Sequence, residues 1–184
     1  SSDARCIYES GVSICFACGL RKAPEGTEVS PGTDKAPFVI GEPVRLGKRG
    51  ITLDTCKRYG YIVGDAGNEK VQAAPYYNPT TGALVAQKVR TSTKQFSIRG
   101  SGKNMPLWGL QLGRAGGKMI VITEGEIDAM SCSQAMGNTW PVVSLPAGAG
   151  SLDAIKSSLE FLESYDKVVL AFDNDAPGHK ATTE

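Results

Sequence analysis

The sequence has one histidine, His179, in 184 residues. It carries no Gly-x-Ser-x-Gly nucleophile elbow, so a Ser-His-Asp or Cys-His enzyme would have to be built around that one imidazole, and packing on a helix surface is its commoner use. Long apolar runs are missing too: none approaches the roughly 20 residues that cross a bilayer. The opening Ser1-Ser2-Asp3-Ala4-Arg5-Cys6 lacks the basic and apolar regions of a signal peptide. These features predict a soluble, unsecreted protein with no membrane partner. The five cysteines, Cys6, Cys15, Cys18, Cys56 and Cys132, are odd in number and scattered. That pattern excludes a secreted disulfide framework and fits a reducing compartment. Gly100-Ser101-Gly102-Lys103-Asn104 falls short of a phosphate loop, with Ser97 where the first glycine belongs and Asn104 in place of the Ser or Thr that binds magnesium. Gly148-x-Gly150 is too short a signal for a dinucleotide site.

What is present is uneven charge. Residues 1 to 117 carry 16 basic and 9 acidic side chains, a net of +7, whereas residues 118 to 184 carry 4 basic and 10 acidic, a net of −6. A basic part suits a polyanion and an acidic part suits cations, as expected of a protein that handles nucleic acid with metal ions.

Residues 11 to 19 alternate apolar and polar up to the Cys15-x-x-Cys18 pair, which predicts a strand running into a knuckle turn. Residues 23 to 43 hold four prolines and three glycines without apolar periodicity and read as a linker. A short helix follows, with Thr52 as N-cap, Gly60 as its stop and Cys56 in the core. Val71 to Asn78 and Ala83 to Arg90 read as strands joined by the turn Asn78-Pro79-Thr80-Thr81-Gly82, with Lys94 to Ile98 pairing beside them. From Lys118 the pattern becomes strand, helix, strand, helix, strand: Met119 to Ile122, a helix to Met136, Val142 to Leu145, a helix from Leu152 to Tyr165, then Lys167 to Phe172. This predicts a parallel sheet with right-handed crossovers and a ligand at the carboxyl ends of its strands. The organisation is therefore a small module over 1–22, a linker over 23–43, a basic mostly-β subdomain over 44–117 and an α/β domain over 118–184.

The parallel sheet brings Glu124, after its first strand, and Asp173 and Asp175, after its third, to one edge. Two carboxylates about 4 Å apart repel by roughly 4 kcal/mol at an effective dielectric near 20, so such a cluster protonates or takes up a cation. Oxygen ligands without His or Cys favour Mg²⁺ or Mn²⁺ over zinc. A lone acid after a strand is more often an N-cap than a ligand. The joint pattern, Glu124-Gly125-Glu126 after one strand and Asp173-Asn174-Asp175 after another, resembles the Toprim signature of primases, topoisomerases, RecR-like proteins and some nucleases.

The resemblance extends further. Val121-Ile122-Thr123-Glu124-Gly125-Glu126-Ile127-Asp128, Pro141 to Leu145 and Phe172-Asp173-Asn174-Asp175-Ala176-x-Gly178-x-Lys180-Ala181 look like the primase domain of phage primase-helicases, shared in part by mitochondrial Twinkle-type helicases. Gln87-Lys88-Val89-Arg90 with Lys94 and Phe96, then Leu107-Trp108-Gly109, resemble the same proteins in the same order. The resemblance implies synthesis of short RNA primers on single-stranded DNA by nucleotidyl transfer from ribonucleoside triphosphates. A helicase domain in cis in the full protein, a replicative polymerase as partner and the cytoplasm of an infected bacterial cell are also implied by it. It implies Glu124 as metal ligand or general base, Asp173 and Asp175 as metal ligands, Glu126 and Asp128 as supporting acids, and Lys88, Arg90 and Lys94 as contacts to triphosphate or template. Cys15 and Cys18 resemble the second half of a zinc module, and two ligands do not close a structural zinc site; zinc is expected only in a longer protein. A third acidic motif and further strands are implied beyond residue 184, so a truncated Toprim domain is expected. Single-stranded DNA binding without synthesis is the alternative, with a Toprim nuclease or topoisomerase as a third class.

Overall fold

In a computed structural model of the chain, the described residues are 36–150 and 152–183, together with the strand residues 5–7, 13–15 and 21–22. The chain divides into two compact units, Ser1–Lys35 and Ala36–Glu184. In the first, β1 (Arg5–Ile7), β2 (Ser13–Cys15) and β3 (Arg21–Lys22) form an antiparallel sheet with β2 in the middle. The strand predicted before the cysteine pair is β2. Cys18 and the knuckle turn lie outside the described residues.

The second unit contains two sheets. The first is an antiparallel meander of five strands in sequence order: β4 (Gly41–Glu42), β5 (Ile62–Ala66), β6 (Glu69–Tyr77), β7 (Leu84–Arg90) and β8 (Phe96–Gly100). The predicted hairpin is β6 and β7, and Asn78 forms its turn by accepting the Thr80 and Thr81 N–H groups at 2.9 Å. Between β4 and β5 lies α1 (Leu53–Tyr59), capped as the sequence predicts. Thr52 accepts the Thr55 N–H at its start, and Gly60 ends it in the left-handed conformation at φ 66°.

The predicted linker has to be shortened. Its residues 23–35 lie outside the described set, but from Ala36 the chain belongs to the fold. Val39 is buried and exchanges two hydrogen bonds with the buried Gln87 side chain, N–H to Oε1 at 2.6 Å and Nε2–H to carbonyl at 3.1 Å. Gly41 pairs with Gly64. A Cβ on Gly41 would sit 2.2 Å from the Val63 carbonyl oxygen, so this glycine of the predicted linker serves close strand approach.

The second sheet is parallel, in the order β10 (Val142–Ser144), β9 (Ile120–Thr123), β11 (Val168–Ala171). α2 (Glu126–Ala135) crosses from β9 to β10. The predicted helix from Leu152 to Tyr165 is instead two short ones, α3 (Asp153–Lys156) and α4 (Leu159–Glu163). At the break the Ser157 hydroxyl donates to the Ala154 carbonyl at 3.1 Å, the local side-chain bond that competes with a continuous helix. α5 (Ala176–Thr183) follows β11.

β9 is buried along its whole length, as expected of a central parallel strand covered on both faces. Ile120 and Ile122 join Val143, Leu145, Leu162 and Tyr165 on one face. Val121 joins Met130, Val142 and Trp108 on the other, in a cluster that includes Cys56, Tyr59 and Tyr76. That second cluster is built from both sheets and α1, so the basic β subdomain and the α/β part share a core. Trp108 sits at the junction: it stacks on Tyr59 with ring centroids 4.7 Å apart and exchanges two backbone hydrogen bonds with Ser144. Among the described residues, no helix is long and apolar enough to cross a membrane.

Candidate active site

β9 and β11 run parallel, with Ala171 level with Thr123. Glu124, the residue after β9, and Asp173, two residues past the end of β11, therefore emerge at the same edge, as the sequence predicts. Glu124 Oε1 is shielded from solvent and has no hydrogen-bond partner. Burial pushes the Glu124 carboxyl above its ordinary value. The charges of Asp173, Asp175 and Asp128 push the same way. Asp128, in the first turn of α2, is also raised, first by burial and then by the Asp173 and Glu126 charges, with Arg49 opposing. The acids thus feel one another electrostatically, and Glu124 is held where its charge is costly.

Gly178 closes the back of this edge. A Cβ there would lie 2.1 Å from the Asp173 carbonyl oxygen and 3.0 Å from Glu124 Oε1, so no larger residue fits without displacing them. Asp175 acts within its own turn, where its Oδ1 accepts the Gly178 N–H at 2.9 Å and caps the start of α5.

Glu126 faces inward. It is buried, accepts a short hydrogen bond from the Tyr76 hydroxyl, and pairs with Lys88, whose Nζ lies 3.0 Å from Oε1 and 3.2 Å from Oε2. Lys88 also donates to the Pro146 carbonyl at 3.0 Å. This carboxylate is therefore committed to protein partners. The sequence gives no sign of Tyr76, whose role appears only once β6 and α2 are packed together.

The edge opens onto a cavity of about 620 Å³ lined by Glu124, Asp128 and Asp173 of the α/β part and by Lys88, Arg90 and Phe96 of the meander. The Phe96 ring lies near both cations, its centroid 5.4 Å from Lys88 Nζ and 5.6 Å from the Arg90 guanidinium carbon. The structure thus brings Arg90 and Lys88 to the acidic edge. Lys94 sits apart on the β7–β8 turn with φ 64°, and neither it nor Asp175 lines the cavity.

Among the described residues, no three His, Cys, Asp or Glu side chains are grouped as a ready-made metal cage. Magnesium needs none, because it keeps waters and uses one or two carboxylates with substrate phosphates. The unpartnered Glu124 oxygen beside Asp173 fits that mode. Cys15 ends β2, while its side chain and Cys18 lie outside the described residues.

A parallel sheet with acids at the carboxyl ends of β9 and β11, preceded by an antiparallel meander, is a Toprim-type primase fold. The Toprim-like family model matches residues 121–184, and the model described as "Bacteriophage T7 DNA helicase/primase, N-terminal a+b fold" matches residues 41–100. A DNA helicase/primase of Enterobacteria phage T3 is 34% identical over 200 residues, a match that takes in 100% of this chain and 35% of the relative. The crystal structure of the primase fragment of the bacteriophage T7 primase-helicase protein superposes with a TM-score of 0.76 at 33% identity, over 100% of this chain and 80% of that one. A chain in the structure of bacteriophage T7 lagging-strand DNA polymerase interacting with primase domains of two gp4 subunits, bound to an RNA/DNA hybrid and dTTP, gives 0.72 at 36% identity. That match covers 79% of this chain and 74% of the other. The chain belongs to the phage T7-type helicase/primase family and carries its primase fold. It spans about a third of the length of the phage T3 relative.

Proposed function

We propose that the chain is the DNA primase part of a phage primase-helicase, joining ribonucleotides into short primers on single-stranded DNA by metal-dependent nucleotidyl transfer. The observation that carries this reading is the buried, unpartnered Glu124 oxygen beside Asp173, in a cavity that Arg90 also lines. Family membership supports the substrate class, since the solved complex of a lagging-strand DNA polymerase with related primase domains contains an RNA/DNA hybrid and dTTP.

Glu124 and Asp173 would hold Mg²⁺ or Mn²⁺, and Asp175 would reach the same edge once a metal draws the carboxylates together. When bound, the metal neutralises triphosphate charge and lowers the pKa of the attacking hydroxyl. Arg90 would meet phosphate oxygens, its guanidinium oriented by the Phe96 ring. Lys88 acts chiefly by fixing Glu126 and the Pro146 loop, and Lys94 would touch template outside the cavity. A helicase domain in cis in a longer protein and the replicative polymerase are the partners this reading implies, and zinc would bind Cys15 and Cys18 only with further ligands from that longer protein.

Template binding without synthesis is the second reading, favoured by the net charge of +7 over residues 1 to 117, which suits a polyanion whether or not synthesis follows. The test incubates the chain with single-stranded DNA, labelled ribonucleotides and Mg²⁺, beside Glu124→Gln and Asp173→Asn variants. Short RNA products lost in both variants support synthesis. Salt-sensitive DNA binding without products supports the second reading, and cleavage without nucleotides points to a nuclease.

A further inference from the structure

The amino ends of β9 and β10, at the far side of the parallel sheet from Glu124, carry a second pocket that the proposed chemistry does not use. Its volume is about 280 Å³, and it is lined by Arg58, Arg114, Lys118, Thr139, Trp140 and Tyr165, among others. From Met119 to Glu124 the strand spans five residues, so this pocket lies about 16 Å from the acidic edge at about 3.3 Å per residue.

Three features of the pocket suit an anion with a flat ring attached. The first is charge: Arg58, Arg114 and Lys118 converge there with no acidic side chain in the lining. None of the three is in either ion pair found among the described residues, and the Nε of Arg58 is buried without a hydrogen-bond partner. The second is Trp140, which is 37% exposed at the same pocket while the other tryptophan, Trp108, is only 1% exposed. An exposed indole beside cations is the stacking platform of single-strand binding sites. The third is a fixed backbone. The loop carrying Arg114 is held by the Tyr165 hydroxyl donating to the Arg114 carbonyl, by the Gly116 N–H donating to Ser164 Oγ at 2.7 Å, and by the Asp166 N–H donating to the Gly117 carbonyl at 2.9 Å. Arg114 and Lys118 are therefore presented from an ordered frame.

We infer that this pocket is a second binding site for single-stranded nucleic acid, in which Arg58, Arg114 and Lys118 contact phosphates and Trp140 stacks on a base. It rests on the primase reading only for the identity of the polymer, and it would let the chain hold a strand at two points on opposite ends of one sheet.

The experiment titrates the full chain with an oligothymidylate and follows tryptophan emission, with Trp140→Phe as the control that separates Trp140 from Trp108. The expected result is quenching that Trp140→Phe abolishes. The Arg114→Ala/Lys118→Ala double variant, with unchanged circular dichroism and melting, should bind roughly tenfold more weakly. Its slope of log affinity against log salt should be shallower by about 1.4, two contacts at about 0.7 each. Unchanged affinity and slope in the double variant, or emission at Trp140 that ignores the oligonucleotide, overturns the proposal. Equal quenching by a mononucleotide or by a protein partner alone overturns it too. Glu124→Gln keeps the two readings apart: loss of primers with quenching intact leaves this site standing, as does quenching in a wild-type chain that makes no primers.

Discussion

Lys88 Nζ lies 3.0 Å from Glu126 Oε1, joining the middle of β7 to the first residue of α2 with both side chains largely withdrawn from solvent. This pair couples the basic β subdomain to the acidic α/β part in the wall of the cavity. Removing one partner of a buried pair leaves the other charge uncompensated, at a cost of about 3–5 kcal/mol. Lys88→Met should therefore lower unfolding free energy by about 3 kcal/mol in urea titration. Arg90→Ala, which breaks no ion pair among the described residues, should stay within about 0.5 kcal/mol of wild type while weakening template or nucleotide binding.

Glu124 makes stability depend on pH in an unusual direction. Its carboxyl is raised above the ordinary 4.5 by burial and by Asp173, so above pH 4.5 the folded state holds a proton that the unfolded state has released. Stability from this group is present at low pH and falls as pH rises from 4.5 through the raised value. In metal-free buffer Glu124→Gln should therefore melt higher than wild type at pH 7, and the difference should vanish below pH 4.5. Thermal melts across pH 4–8 check this.

A divalent ion should reverse that penalty. Binding to the native state alone at a hundred times its Kd adds about 2.7 kcal/mol. Mg²⁺ or Mn²⁺ should raise the melting temperature of wild type and leave Glu124→Gln and Asp173→Asn nearly unmoved.

Gly178→Ala tests the close approach behind the acids. With a Cβ 2.1 Å from the Asp173 carbonyl oxygen, α5 has to shift away from the β11 end. Both stability and any metal-induced rise in melting temperature should fall, whereas Gly67→Ala, on an open turn, should cost stability without touching the metal response.

Much of the acidic edge is legible in the sequence because parallel strands carry a continuous apolar run. Met119 to Ile122 announces β9, and the residue after such a strand must emerge at the sheet's carboxyl edge. Thr52 and Gly60 are equally legible, since caps act through local backbone geometry. Partnership between distant residues is not. Glu126 and Asp128 read alike as supporting acids, yet only packing of β6 and β7 under α2 turns Glu126 inward onto Tyr76 and Lys88. β5 goes unread because Gly64 interrupts its pattern. Residues 36–43 look like linker because proline and glycine mark loops and tight strand approach alike.

The most direct test is ribonucleotide incorporation per molecule of bound template, measured for wild type and Glu124→Gln with template binding quantified in the same samples. The account predicts metal-dependent RNA primers from wild type, with equal template occupancy and roughly a hundredfold less incorporation in Glu124→Gln. Incorporation at the wild-type level by Glu124→Gln, or a wild-type chain that binds template yet makes no RNA with either Mg²⁺ or Mn²⁺, would contradict it.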